Sequence, residues 1–138
     1  MNKIIATIVC VGSILLMPLI SSAASTPADV LASLQTAREK LVALIGATDK
    51  EDQAELQEAI KTATKGVDEK VAAILADAGT AAAVKGKITE FKAVWESFKQ
   101  TRDTEIIPAV LAGDKEKAKG IAQGIQAERF KKMLSLLQ

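Results

Sequence analysis

The chain has 138 residues, 49% of them hydrophobic, and its 18 basic and 17 acidic side chains leave a net charge close to zero. A neutral chain has no long-range field to recruit nucleic acid or an anionic membrane surface, so neither is an expected partner. Histidine is absent and Cys10 is the single cysteine, which removes the imidazole and thiolate ligands on which zinc, copper and iron sites are built.

The first 24 residues have the pattern of a secretory signal peptide. Lys3 gives a positive start, residues 4–20 carry no charge, and small residues follow at 21–24. Cleavage is predicted after Ala24, with Ala23 as a near alternative. The protein is then periplasmic or secreted, with one domain over residues 25–138 that holds no cysteine and therefore no disulfide. The alternative is that this segment stays uncleaved and anchors the chain.

The first predicted helix has clear signals at both ends. Thr26 can cap it, Pro27 suits its first position, and Asp29 stands three residues after the cap. Gly46 is the predicted stop. Apolar residues recur at helical spacing between these ends, while Arg38 is predicted to lie mostly off the apolar stripe and to face solvent.

Two longer helices are predicted next. Thr48 or Asp49 caps the second, which is expected to run to about Ala78, and Thr80 opens the third. The third helix should kink at Pro108, because proline lacks the backbone N–H of the helical ladder. Its inward stripe, which predicts a core position for the tryptophan, is Val84, Ile88, Phe91, Trp95 and Phe98.

A tight reversal separates the third helix from the fourth. Gly113 can adopt the left-handed conformation that ends a helix, and Asp114 can cap the next one. Lys99 and Lys115, on either side of this reversal, are predicted to face solvent. The residues of the fourth helix expected to face the other three are Ala118, Ile121, Ile125, Phe130, Met133, Leu134 and Leu137.

Short connections between long helices force each helix to run back beside the previous one. The predicted fold is therefore all-α, an antiparallel up-down-up-down four-helix bundle that follows the signal peptide. No alternating run of β-branched or aromatic residues indicates a strand. The sequence also lacks a serine elbow, a glycine-rich phosphate loop and a histidine base, so neither an enzyme nor a bound cofactor is expected.

Arg102 is the candidate ligand-binding residue. It falls on the apolar stripe of the third helix, where a guanidinium can hold the carboxylate of a small organic anion in a bidentate fork. The structural alternatives are a pair with an acidic side chain, such as Asp103 of a neighbouring subunit or a Glu on an adjacent helix, or a stem that covers apolar surface. The chemistry of the residue alone leaves these open.

The segment from Phe91 to Ala118 resembles the last two helices of the sensor domain of bacterial chemoreceptors. The resemblance rests on Trp95, on Arg102 one turn beyond a Phe, on Ile-Ile-Pro, and on Leu-Ala-Gly-Asp before an Ala-rich helix. It implies a periplasmic bundle that pairs with a second copy through its first helix and binds a small molecule, often an organic acid. The chain ends at Gln138 without a second membrane segment, which suggests a stand-alone relative.

Two other functions remain open from the sequence. One is a protein-interaction or chaperone-like helical module, for which an uncovered apolar stripe on the first or fourth helix would be the sign. The other is a haem-free relative of the bundle cytochromes, because the general shape is similar but no histidine or Cys-x-x-Cys-His motif is present to hold haem.

Overall fold

The computed structural model describes residues 24–138, so the predicted signal peptide lies outside the described residues except for Ala24. The described part of the chain is helical and contains no strand. This confirms the predicted all-α bundle. The helices are α1 (Pro27–Gly46), α2 (Lys50–Ala76), α3 (Ala82–Thr101), α4 (Ile107–Leu111), α5 (Lys115–Gln123) and α6 (Ile125–Leu137), with a π-helical turn at Arg102–Ile106.

These elements form four antiparallel rods. The first rod is α1 and the second is α2; the third consists of α3, the π-turn and α4, and the fourth consists of α5 and α6. The first rod packs most closely on the second, and α3 packs most closely on α6. The first and fourth rods meet less closely, which leaves a groove between them.

Among the first three helices, two start with the predicted cap. Thr26 and Asp29 form a reciprocal capping box at α1, and the Asp49 carboxylate accepts from the backbone N–H of Glu51 at 2.7 Å. The prediction that Thr80 opens the third helix is wrong. Ala81 is the N-cap there and has no polar side chain with which to cap the helix. The Thr80 hydroxyl instead donates to the Asp77 carboxylate at 2.7 Å and closes the preceding turn.

The interruption in the third rod lies just before Pro108. A proline ring clashes with the carbonyl of the residue four positions earlier, here Thr104, if the helix is regular. The π-turn widens the helix at this level, and the N–H of Ile107 bonds to the carbonyl of Arg102, five residues back. The predicted kink at Pro108 thus takes the form of a π-turn.

The reversal into the fourth rod has the predicted form. Gly113 has a φ of 82°, and the Asp114 carboxylate accepts from the N–H of Lys117 at 3.1 Å. The fourth rod itself is not one helix as predicted, because Gly124 departs from helical geometry with a ψ of −113°. The inward position predicted for Ile125 is also wrong, since that side chain is 46% exposed.

Trp95 lies at the centre of the core and is fully buried, as predicted. Its indole N–H donates to the Asp68 carboxylate at 2.7 Å, and Lys99 donates to the same carboxylate at 3.0 Å. The solvent-facing position predicted for Lys99 is therefore wrong: its side chain is 17% exposed. Burial lowers the pKa of Lys99, but hydrogen bonds to Glu96 and Asp68 raise it above its ordinary value of 10.5.

Candidate ligand site between the first and fourth rods

Arg102, the residue predicted to bind a ligand, is buried at the π-turn. Its guanidinium donates from Nε and Nη2 to the two carboxylate oxygens of Asp103, at 2.7 and 3.1 Å. Nη1 donates to the hydroxyl of Thr64 on α2 at 2.7 Å. The acidic partner is thus Asp103 of the same chain. A role for Arg102 in ligand binding stays a prediction, and such a ligand would have to displace one of these partners.

Three openings lie in the groove between α1 and the fourth rod. Val42 on α1 faces this groove and is 58% exposed. Three cavities in the groove share Val42 as a wall. The middle one reaches the core of the bundle, because Phe98 of α3 forms part of its lining.

We call the middle opening the Arg38 cavity, after its single charged residue. Its volume is about 290 Å³, at the lower end of the range of small-molecule sites. The small side chains of Ala122 and Ala127 face α1 and leave this space open. The lining residues are Arg38, Leu41, Val42, Phe98, Ala122, Gln123, Gln126 and Ala127.

The guanidinium of Arg38 contacts an aromatic ring. Its central carbon lies 4.1 Å from the centroid of Phe130, a cation–π contact between α1 and α6. The other two arginines of the described residues use their guanidinium groups in hydrogen bonds, Arg102 with Asp103 and Arg129 with Thr101. Between residues 24 and 138, Arg38 makes no such bond, so its N–H donors are available to a ligand.

Gln126 is the buried polar residue of this cavity, with 2% of its surface exposed. Its side-chain amide nitrogen donates to the carbonyl of Phe98 at 2.9 Å, and its amide oxygen accepts from Arg129 at 3.1 Å. Arg129 donates in turn to the hydroxyl of Thr101 at 2.7 Å. The cavity wall is therefore bonded directly to the end of α3, just before the π-turn.

A family model described as "Four helix bundle sensory module for signal transduction" matches residues 24–138. The chain belongs to this family. The match covers the whole of the described structure and confirms the resemblance to the sensor domain of chemotaxis receptors. No curated protein and no solved structure matches the chain.

The lining of the Arg38 cavity decides what this sensory module can recognise. Within residues 24–138, no group of three or more metal-ligating side chains lies close enough together to hold a metal ion. None of the helices in that range combines the length and the apolar character needed to cross a bilayer. The Arg38 cavity combines the Arg38 guanidinium, which contacts the Phe130 ring, with glutamine amides and apolar side chains. This combination suits recognition of a small molecule.

Sequence reasoning did not identify Arg38 or Gln126 as site residues. Gln126 had a detectable signal, because it is in phase with Phe130, Met133 and Leu137 at helical spacings of four, three and four. A polar residue at such a core position marks a specific bonding role. Arg38 had no comparable signal. Its importance depends on the Phe130 ring from the other end of the chain, which only the fold brings close.

Proposed function

We propose that the protein is a non-enzymatic ligand-binding module that senses a small molecule in the Arg38 cavity. The observation that carries the proposal is the Arg38 guanidinium, stacked on Phe130 and free of acceptors, beside an apolar cavity that reaches the core. Preorganised donors cost little ordering on binding, so a small ligand gains affinity from them. Membership of the sensory-module family supports the same role.

We further propose that the module acts in the periplasm, or outside the cell, after removal of residues 1–24. The uncharged run at 4–20 and the small residues that follow it support this location. Sensor domains of this family bind ligands outside the cytoplasm in the receptors that the chain resembles. A small organic anion is the ligand that the cationic lining favours, and partner proteins would read the bound state.

The proposal is tested by thermal unfolding of the protein against a panel of organic acids, amino acids and aromatic metabolites. A compound at about 100 times its Kd should stabilise the fold by about 2.7 kcal/mol and raise Tm measurably. Ala127→Leu, which fills the cavity without changing charge, should abolish the shift. A shift that survives in Ala127→Leu would place the ligand elsewhere, and the absence of any shift would contradict ligand sensing.

A second candidate is an interaction module, and the exposed side of α1 favours it. Exposed residues on that side lie at spacings of four and three, and four of the six are small or apolar, so this face is the candidate helix–helix seam. They are Ala28, Ala32, Gln35, Glu39, Val42 and Gly46. A second copy of the chain is the partner that the family resemblance implies. Sedimentation equilibrium tests this: a dimer that Ala32→Glu dissociates supports the seam, and a monomer at all concentrations contradicts it.

A further inference from the structure

The lining of the Arg38 cavity restricts the class of ligand that it can hold. This inference rests on the proposed function and adds the chemistry of the ligand. Arg38 is the single charged residue of the cavity, and no acidic side chain lines it. The nearest lysines along the groove, Lys115 and Lys119, line the neighbouring cavity, where Lys115 donates to the carbonyl of Gly46 at 3.1 Å. On the other side, Glu39 lines the adjoining opening together with Arg38. Within the Arg38 cavity itself, the lining provides for one negative charge and for no positive charge.

The contact of Arg38 with Phe130 leaves its N–H donors accessible to a ligand. The central guanidinium carbon lies 4.1 Å from the centroid of the Phe130 ring, so the ring covers one side of the group. The N–H donors lie in the plane of the guanidinium and point outward from its edge. Two parallel donors match the two oxygens of a planar carboxylate. The geometry thus favours a carboxylate over a neutral amide or a hydroxyl.

The rest of the cavity suits an apolar ligand body. Its walls are the aliphatic side chains of Leu41 and Val42, the ring of Phe98, and the methyl groups of Ala122 and Ala127. A second carboxylate or an ammonium group placed against these walls would lose water without gaining an opposite charge, which is costly. The volume of about 290 Å³ limits the body to a small one.

From these three features we propose that the ligand is a small monocarboxylate with an apolar body, bound through Arg38. Dicarboxylates and free amino acids are disfavoured, because their second charged group would find no partner within the cavity. The amides of Gln123 and Gln126 stand at the side of the cavity and can bond a polar substituent on the body. Such a substituent would add selectivity within the class.

The test is isothermal titration of the protein with benzoate and hexanoate as the probe monocarboxylates. Benzamide serves as the neutral analogue of benzoate, succinate as the dicarboxylate, and serine as the amino acid. The variants are Arg38→Gln, which removes the charge and keeps a polar side chain, and Ala127→Leu, which fills the cavity. Lys87→Gln is the matched control, because it removes one positive charge from an exposed site on α3 away from the groove.

We expect a probe monocarboxylate to bind at one site per chain, with Arg38→Gln and the benzamide substitution each raising Kd by about tenfold or more. Ala127→Leu should abolish binding, and Lys87→Gln should leave it unchanged. Equal binding of benzamide, or tighter binding of succinate or serine, would overturn the ligand class and leave the sensing function intact. Failure of both monocarboxylates to bind would also overturn it, and the broader panel above would then decide whether any small molecule is sensed.

Discussion

In the ion pair of Arg102 and Asp103, the loss of each side chain should change the stability of the fold by a very different amount. The Arg102 side chain is 6% exposed, whereas that of Asp103 is 53% exposed. Removing Asp103 leaves a charged guanidinium inside the bundle, with Thr64 as its remaining partner. Removing Arg102 leaves a carboxylate that water already reaches. We therefore expect Asp103→Ala to destabilise the fold more than Arg102→Met does.

The size of the difference follows from the burial of each group. A buried charge left without its partner costs about 3–5 kcal/mol when fully enclosed, and a partly exposed pair costs less, so we expect about 2–3 kcal/mol for Asp103→Ala. Arg102→Met replaces the guanidinium by an apolar side chain of similar length, and we expect it to stay within about 1 kcal/mol of the wild type. At about 4 °C per kcal/mol, Asp103→Ala should lower Tm by about 10 °C.

Urea unfolding, followed by circular dichroism, measures both free energies. Glu105→Ala is the matched control, because Glu105 is an exposed acid in the same π-turn and its loss changes net charge equally. It should change the free energy of unfolding by less than about 0.5 kcal/mol. A larger cost for Arg102→Met than for Asp103→Ala would refute the argument. It would mean that the hydrogen bonds of the guanidinium to Thr64 and Asp103 stabilise the π-turn by more than the burial of its charge costs.

Three further changes test the fold. Gly113→Ala should cost about 1–2 kcal/mol in urea unfolding, because its φ of 82° strains an L-residue although no neighbour crowds the added methyl group. Leu34→Ala empties a fully buried position and should cost about 2–5 kcal/mol by the same assay. The pKa of Lys99 is raised in the fold by Glu96 and Asp68, so its stabilising effect is complete below pH 10.5 and is lost as pH rises through the higher folded pKa. Thermal unfolding between pH 9 and 12 should show that loss, and Lys99→Met should reduce it; equal pH dependence in the two proteins would contradict the assignment.

The bundle could be predicted from the sequence because its signals are local. The capping box at Thr26, the left-handed Gly113 and the cap at Asp114 each depend on residues within a few positions, and the structure has all three. The breaks in the third and fourth rods were harder to predict. Pro108 indicates that the third rod is distorted but does not indicate that the distortion is a π-turn. In the sequence Gly124 resembles a glycine that a helix tolerates, and only the structure shows its non-helical ψ.

The candidate site could not be predicted because its parts are far apart in the sequence. Arg38 belongs to α1, Phe98 to α3, and Gln126 and Phe130 to α6. An arginine beside an apolar stripe normally faces solvent, and Arg38 is exposed as predicted. Nothing in the sequence indicates its contact with the Phe130 ring. Arg102 was predicted to bind a ligand because it lies on the apolar stripe of the third helix. The same position turns its guanidinium into the bundle, where it bonds to Asp103 and Thr64.

The most direct test of the central claim is a titration of the ¹⁵N-labelled protein with benzoate, followed by amide chemical shifts. If a small monocarboxylate binds in the Arg38 cavity, saturable shifts should appear at residues 38–42 and 122–127, and Arg38→Gln should remove them. Saturable shifts confined to other parts of the bundle, or identical shifts in Arg38→Gln, would contradict the account.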